Sequence, residues 1–275
     1  MNFFKLFSDS IPFSNVLSTR AETAKVFISC LCPLLLLAGC ASNRENKPVS
    51  FPLAPAQSIS PFSLANSGDA LPAGWQTWFI TRFNRNTSYK IVESDGAKVL
   101  EAHANKAASG VLQDVSIEPT LYPQLSWRWQ VSSLPKEADI TRRGSDDSPA
   151  RVIISFDGDR SKFDFEDRAA ADLVKLFSGR EMPYASLMYV WDNKLPVNAL
   201  VDNAHSGRAK MIVVESGPTN VGAWLNFKRN VVEDFKRAFN EMPGKIISVG
   251  VMTDSNATGT VVTARYGDIA LRVAD

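Results

Sequence analysis

Three stretches of the sequence carry residue types that could do chemistry. Asp146 and Asp147 stand shortly before Arg151, at the head of an apolar run. Two carboxylates and a guanidinium near one strand end suit sugar hydroxyls or a cation. The same trio suits a structural ion pair that orients a loop. Thr253-Asp254-Ser255-Asn256-Ala257-Thr258-Gly259 sets oxygen side chains at alternate positions, with a glycine after them. Calcium loops use that arrangement. The distal glutamate of the helix–loop–helix type is missing, however, and Asp, Asn and Gly are also ordinary turn residues. Asp157-Gly158-Asp159 is a weaker version of the same pattern. In Tyr266-Gly267-Asp268-Ile269-Ala270-Leu271, Asp268 falls on the face opposite Ile269, Leu271 and Val273. Asp254, Asn256 and Asp268 therefore form a candidate calcium set. Glu101 joins it if the terminal strands are neighbours; otherwise these acids are solvated strand and turn residues.

The aromatic and catalytic inventory adds one candidate and removes several. Trp75, Trp78, Trp127, Trp129, Trp191 and Trp224 could stack on sugar rings, but a tryptophan in a β-rich chain is more often packing. Trp127 and Trp129 share a face with Leu125 and Val131 and read as core. Trp191, followed by Asp192-Asn193-Lys194, stands at a strand end and is the better surface candidate. The expected ligand site is thus Asp146, Asp147, Arg151 and Trp191. Only two histidines are present, His103 and His205, and neither a nucleophile elbow nor a zinc-protease motif occurs. Asp164, Glu166 and Asp167 could supply a glycosidase carboxylate pair. They also open a helix, where acids answer the N-terminal dipole for ordinary reasons.

Positioning these residues requires strands. Leu125, Trp127, Trp129 and Val131 alternate with Ser126, Arg128, Gln130 and Ser132, the period of a strand with one apolar face. Val152, Ile154 and Phe156 repeat the pattern. The segment between them, with Lys136, Glu137, Asp139, Arg142 and Arg143, is too polar for core and reads as a charged loop. Further strands are expected over 75–80, 89–93, 98–103, 110–115, 187–191, 210–215, 246–252 and 260–273. Asp95-Gly96 suits a tight primed turn between the second and third of these runs. Amphipathic helices are expected over 164–180 and 230–240. Strands joined mostly by loops favour a mainly β fold: an antiparallel β-sandwich, jelly-roll-like, with two inserted helices.

The N-terminal part reads as an address. Lys25 precedes a short apolar run that contains Pro33 and ends in Leu37-Ala38-Gly39-Cys40. The run is short for a membrane span, which needs about 20 residues. It fits a signal peptide over 1–40, and its end resembles the bacterial lipobox, in which Cys40 would be acylated. An Asp after that cysteine commonly marks inner-membrane retention; here Ala41 follows, so the resemblance points to the outer membrane with the domain facing the periplasm. Residues 41–73 are rich in Pro, Ser, Asn and Ala and read as a flexible tether, with Phe51, Phe62 and Leu64 as possible docking points; 74–275 reads as one domain. Cys30, Cys32 and Cys40 are the only cysteines, so residues 74–275 hold no disulfide framework. Lys plus Arg number 30 against 29 for Asp plus Glu, a balance that argues against nucleic acid as a general partner.

In order along the chain, Leu125-Ser126-Trp127-Arg128-Trp129, Asp147-Ser148-Pro149-Ala150-Arg151-Val152, Ser216-Gly217 with Gly222-Ala223-Trp224, Arg229-Asn230-Val231 with Asp234-Phe235, Phe239, and Val251-Met252-Thr253-Asp254 through Gly259 to Tyr266-Gly267-Asp268-Ile269 resemble the bacterial family catalogued as domain of unknown function 3047. The resemblance implies a single domain in an exported or lipid-anchored protein and supplies no reaction, cofactor or site. The expectation is a lipid-anchored envelope protein whose non-catalytic β-sandwich binds a glycan or another envelope component, with calcium as the one candidate cofactor. The alternatives are an envelope assembly factor that contacts a protein through the charged loop, and a polysaccharide hydrolase or lyase.

Overall fold

The alternation around Trp127 and Trp129 becomes the centre of one of two stacked sheets. The computed structural model describes residues 59–66, 71–79 and 84–274, except the side chains of Phe177 and Ser178, and these residues belong to one compact unit. The strands are β1 (Trp75–Phe79), β2 (Ser88–Ser94), β3 (Ala97–Asn105), β4 (Ala108–Ile117), β5 (Gln124–Val131), β6 (Arg151–Phe156), β7 (Ala185–Asp192), β8 (Leu200–Asn203), β9 (Ser206–Ser216), β10 (Leu225–Asn230), β11 (Ile246–Asp254), β12 (Val261–Tyr266) and β13 (Ala270–Arg272). The helices are α1 (Phe165–Ser178) and α2 (Val231–Phe239). A seven-stranded sheet runs β1-β4-β11-β6-β7-β9-β8. A six-stranded sheet runs β10-β5-β12-β3-β2, with β13 also on β5. The expected sandwich with two inserted helices is therefore the observed fold.

In β5, Leu125, Trp127, Trp129 and Val131 are at most 2% exposed, while Ser126, Arg128 and Gln130 face out, half-buried. Trp127 meets Tyr189 of the opposite sheet at 5.1 Å between ring centroids. Val152, Ile154 and Phe156 line the same interior. Each such aliphatic or aromatic side chain contributes on the order of 2 kcal/mol by leaving water. Phe235 of α2 closes one end against Phe156 at 4.7 Å.

Local chemistry explains the element ends. Asp95 and Gly96 both take positive φ, 51° and 75°, as a primed two-residue turn between β2 and β3 requires. Asp164 caps α1 by accepting from the Asp167 N–H at 2.8 Å. Asn230 caps α2 by accepting from Val232 and Glu233 at 3.1 and 3.2 Å. Asn240, in the left-handed conformation, ends that helix before Pro243-Gly244 is reached.

Several expectations change. Every strand pairing is antiparallel except β7 with β9. After β7, residues 193–199 carry the chain past the site of β9 to the edge strand β8, and the β8–β9 hairpin re-enters beside β7 in the same direction. Asp192 Oδ1 starts that crossing by accepting from the Lys194 and Leu195 N–H groups at 2.7 and 2.6 Å. The strand expected over 260–273 is broken at Gly267-Asp268-Ile269 into β12 and β13. The loop between β5 and β6 is not wholly polar surface: Ala138 and Ile140 are buried, Ile140 against Val190, Met211 and Val213 on the outside of the seven-stranded sheet. Part of the expected tether belongs to the packed body. Phe62 is fully buried against Trp75, with ring centroids 4.7 Å apart, and the Trp75 indole donates to the Ser60 carbonyl at 2.9 Å. In α1, Ala170, Ala171 and Val174 are half-buried against the core while Phe165, Leu173 and Leu176 are exposed. Cys40 and the expected signal peptide lie outside the described residues.

Candidate functional site

The structure places Arg151, Asp147 and Trp191 near one another inside the protein rather than on a binding face. Arg151 is 3% exposed, Asp147 2% and Trp191 0%. Arg151 opens β6 opposite Met252 of β11, and this register brings the end of β11 to its guanidinium. Its Nε donates to Asp254 Oδ1 at 3.1 Å and its Nη2 to Asp254 Oδ2 at 3.0 Å, a bidentate pair. Nη2 also donates to the Asp146 carbonyl, and Nη1 lies 3.4 Å from the Met211 sulfur. Asp147 accepts from the Ala257 and Thr258 N–H groups at 3.1 and 2.7 Å and from the Thr258 hydroxyl at 2.6 Å. It therefore shapes the turn between β11 and β12. The Trp191 indole donates to the Gly217 carbonyl at 3.0 Å, and Ser148 Oγ donates to the Trp191 carbonyl at 2.8 Å. The loop before β6 folds over Trp191, which leaves its ring no face for a sugar. Asp146 is the accessible member of the quartet. It faces His205 Nε2 at 3.0 Å. Burial raises its carboxyl, but His205 and Arg151 outweigh burial and hold it below the ordinary value.

The calcium set does not assemble. Burial pushes the Asp254 carboxyl up to about 6, against the pull of Arg151 and with a contribution from Asp147. Both its oxygens are engaged, by Arg151 and by the Ser148 N–H at 3.0 Å. Asn256 sits on the turn whose backbone Asp147 holds. Asp268 lies past the end of β12 and accepts from the Ser63 N–H at 2.9 Å and the Ser63 hydroxyl at 2.5 Å. Glu101 is paired with Lys90 and Arg265 at 3.3 and 3.0 Å. Among the described residues no group of three or more His, Cys, Asp or Glu is placed to hold a metal. These residues do not fit a calcium ion. Asp164, Glu166 and Asp167 occupy the cap and first turn of α1, where they serve its N-terminus.

The open site lies elsewhere, on the outside of the six-stranded sheet. A cleft of about 350 Å³ is lined by Ser126 and Arg128 of β5, Asn226 of β10, Lys98 of β3, Asp268 and Ser63. Trp127 and Phe227, paired in register across β5 and β10, complete it; their rings stack 5.1 Å apart on the core side. Arg128 is the fixed point of this surface. A Cβ at Gly267 would stand 2.5 Å from Arg128 Cγ and 2.6 Å from its Nε, so the side chain lies along a backbone that only glycine leaves free. The Gly267 N–H also donates to the Arg128 carbonyl at 2.9 Å. The guanidinium carbon sits 4.6 Å over the half-buried Trp224 ring. Trp224 is held in turn by its indole N–H, which donates to Asp95 Oδ2 at 2.7 Å. Among the described residues nothing accepts a hydrogen bond from the Arg128 guanidinium. Lys98 donates to the Ala65 carbonyl at 2.7 Å and has no carboxylate partner among them.

The sequence singled out Asp268 for a different role and passed over Arg128 and Trp224. One usable signal was the outward phase of β5, which places Arg128 beside Ser126 on an open face. The stretches that carry the family resemblance divide between the two regions. Asp147–Val152 and Val251–Asp254 build the buried pair. Arg128 and Asp268 line the cleft, and Gly267 and Trp224 pack against Arg128. Arg229 and Asp234 form a third pair, and Asp234 accepts from the buried Tyr189 hydroxyl at 2.9 Å.

The profile of the family described as Protein of unknown function (DUF3047) matches residues 73–270, and the chain belongs to that family. No curated protein sequence matches it. Among solved structures it is similar to the enzymatically active domain of bacteriophage CBA120 tailspike protein 4, at 12% identity and a TM-score of 0.37, over 77% of this chain and 21% of that one. The chain thus spans about a fifth of that relative's length. It is also similar to the xyloglucanase domain of NopAA, a type three effector from Sinorhizobium fredii solved with cellobiose, at 8% identity and a TM-score of 0.41, over 80% and 99% of the two chains. A third likeness is to CBM28, a carbohydrate-binding module specific for non-crystalline cellulose, at 12% identity and a TM-score of 0.36, over 81% and 99%. At scores this low the likenesses transfer neither a residue nor an activity.

Proposed function

We propose that this member of the DUF3047 family is a lipid-anchored, non-catalytic binding module of the cell envelope, and that it holds a glycan or another envelope component in the cleft of the six-stranded sheet. The observation that carries the reading is the cleft itself: an open surface lined by Ser63, Lys98, Ser126, Arg128, Asn226 and Asp268, whose Arg128 lies over the half-buried ring of Trp224. Sugar sites combine an aromatic edge with a few positioned polar groups in this way. The reading is non-catalytic because glycoside hydrolysis takes two carboxylates across the scissile bond, and Asp268 is the one carboxylate among the described residues lining the cleft. The anchor is Cys40, whose acylation would place the domain on the periplasmic side of the outer membrane.

Two experiments test this. Full-length protein is screened by thermal unfolding against cell-wall and plant oligosaccharides, since a ligand of the native state raises the midpoint by mass action. A shift that Trp224→Ala removes supports the cleft; a shift that survives Trp224→Ala and Asn226→Ala together moves the site elsewhere. For the anchor, the wild type partitions with membranes and Cys40→Ser does not. Equal partitioning of the two rejects lipidation at Cys40.

A further inference from the structure

We infer that the cleft selects an acidic sugar, a pyranose carrying one carboxylate, and that Arg128 seats that carboxylate. The inference rests on the glycan reading above and narrows it. Other arginines buried or half-buried in the fold have an acid: Arg151 has Asp254, Arg229 has Asp234 and Arg265 has Glu101. Arg128 is equally ordered, by the Gly267 backbone on one side and the Trp224 ring on the other, yet its fork of N–H donors meets no acceptor among the described residues. A planar guanidinium fixed in this way matches a carboxylate through two parallel hydrogen bonds. Little of its freedom remains to be lost on binding.

The remaining lining sets the charge and the rest of the ligand. Arg128 and Lys98 against Asp268 leave a single net positive charge along the cleft, the complement of a monoanion. A phosphate, closer to a dianion, would meet Asp268 with one charge uncompensated. Asp268 and Arg128 line the same cleft without pairing, because Asp268 is turned to Ser63. Each Asp268 oxygen accepts one hydrogen bond there and keeps a lone pair for a hydroxyl donor. The side chains of Asn226 and Ser126 make no hydrogen bond among the described residues, and both face the cleft. A carboxylate on Arg128 with ring hydroxyls on Asp268, Asn226 and Ser126 engages the four cleft side chains that keep free donors or acceptors facing the opening. The cleft is open, so a chain can enter and leave along the sheet.

The test is isothermal titration of full-length protein with oligogalacturonate and with its methyl ester, which keeps the sugar and masks the charge. Oligoglucuronate and oligomannuronate with their esters cover the other ring configurations. Wild type should bind one of the acids more tightly than its ester by on the order of tenfold, the worth of a charge-assisted pair. Arg128→Gln should bring the acid to the affinity of the ester, and Arg128→Lys, which keeps the charge but not the fork, should fall between. A single cooperative thermal transition within a few degrees of wild type shows that each variant is folded. If wild type binds an ester as tightly as the acid, the carboxylate seat is wrong and the glycan reading stands. If the acid preference persists in Arg128→Gln, Arg128 is not the seat. If no acid and no ester binds, the acidic-sugar inference falls, and the glycan reading is decided by the thermal-unfolding screen against neutral oligosaccharides.

Discussion

Arg151 heads β6 with both oxygens of Asp254 on its guanidinium, whereas Arg128, in the middle of β5, lies over the Trp224 ring with no acceptor among the described residues. Both side chains are ordered, and only one is satisfied. In the first region the protein supplies every partner, so a ligand has nothing left to gain. In the second the fold supplies position and leaves the donors for something else. A polar cluster is therefore better judged by what its members still lack than by which residue types it contains.

The largest effect that separates the regions is on stability. Arg151→Ala or Asp254→Ala leaves a buried charge without its partner and should cost about 3–5 kcal/mol in urea unfolding. Arg128→Ala loses one half-exposed cation–π contact and should cost at most ~1 kcal/mol. Similar losses for the two arginines would break the distinction. The next effect is on pH dependence. Asp254 titrates near 6 in the fold against an ordinary 3.8, so the native state takes up its proton first as the solution is acidified. Unfolding free energy should then rise as pH falls from about 6 to about 4, by on the order of 2 kcal/mol from this group. Comparing the slope with that of Asp254→Asn isolates the contribution; parallel slopes would remove Asp254 as its source.

Asp147→Ala should cost about 2 kcal/mol by stranding the Ala257 and Thr258 donors, and should leave ligand affinity unchanged. Lost affinity in a folded Asp147→Ala protein would return that carboxylate to the binding site. The smallest effect sharpens the cleft. Gly267→Ala should cost about 1 kcal/mol by pushing Arg128 from its seat. That cost should vanish when Arg128 is already alanine, a coupling that a double-mutant cycle reads directly.

Much of the architecture was legible because it rests on local patterns. The period of two around Trp127 and Trp129 gave the inner face of β5. Asp95-Gly96 gave a hairpin, and Asp164 and Asn230 gave helix starts. The site depended on long-range register instead. Nothing near Trp191 in sequence announces that Ser148 will hold the preceding loop over it. Nothing near Arg151 announces that β11 will deliver Asp254, 103 residues away. The cleft draws on Ser63, Lys98, Arg128, Asn226 and Asp268, from five separate segments. One of these, β10, alternates apolar residues only at Leu225 and Phe227 before Lys228-Arg229-Asn230, too short a pattern to register as a strand. Another depends on the break at Gly267-Asp268, which in sequence reads as part of a continuous strand.

The most direct measurement is the NMR signal of the arginine Nε–H groups in labelled full-length protein, followed as an acidic oligosaccharide is added. The account predicts that the Arg128 resonance moves with saturation while the Arg151 resonance, locked on Asp254, stays where it was. A bound ligand that shifts Arg151 and leaves Arg128 unmoved would contradict it.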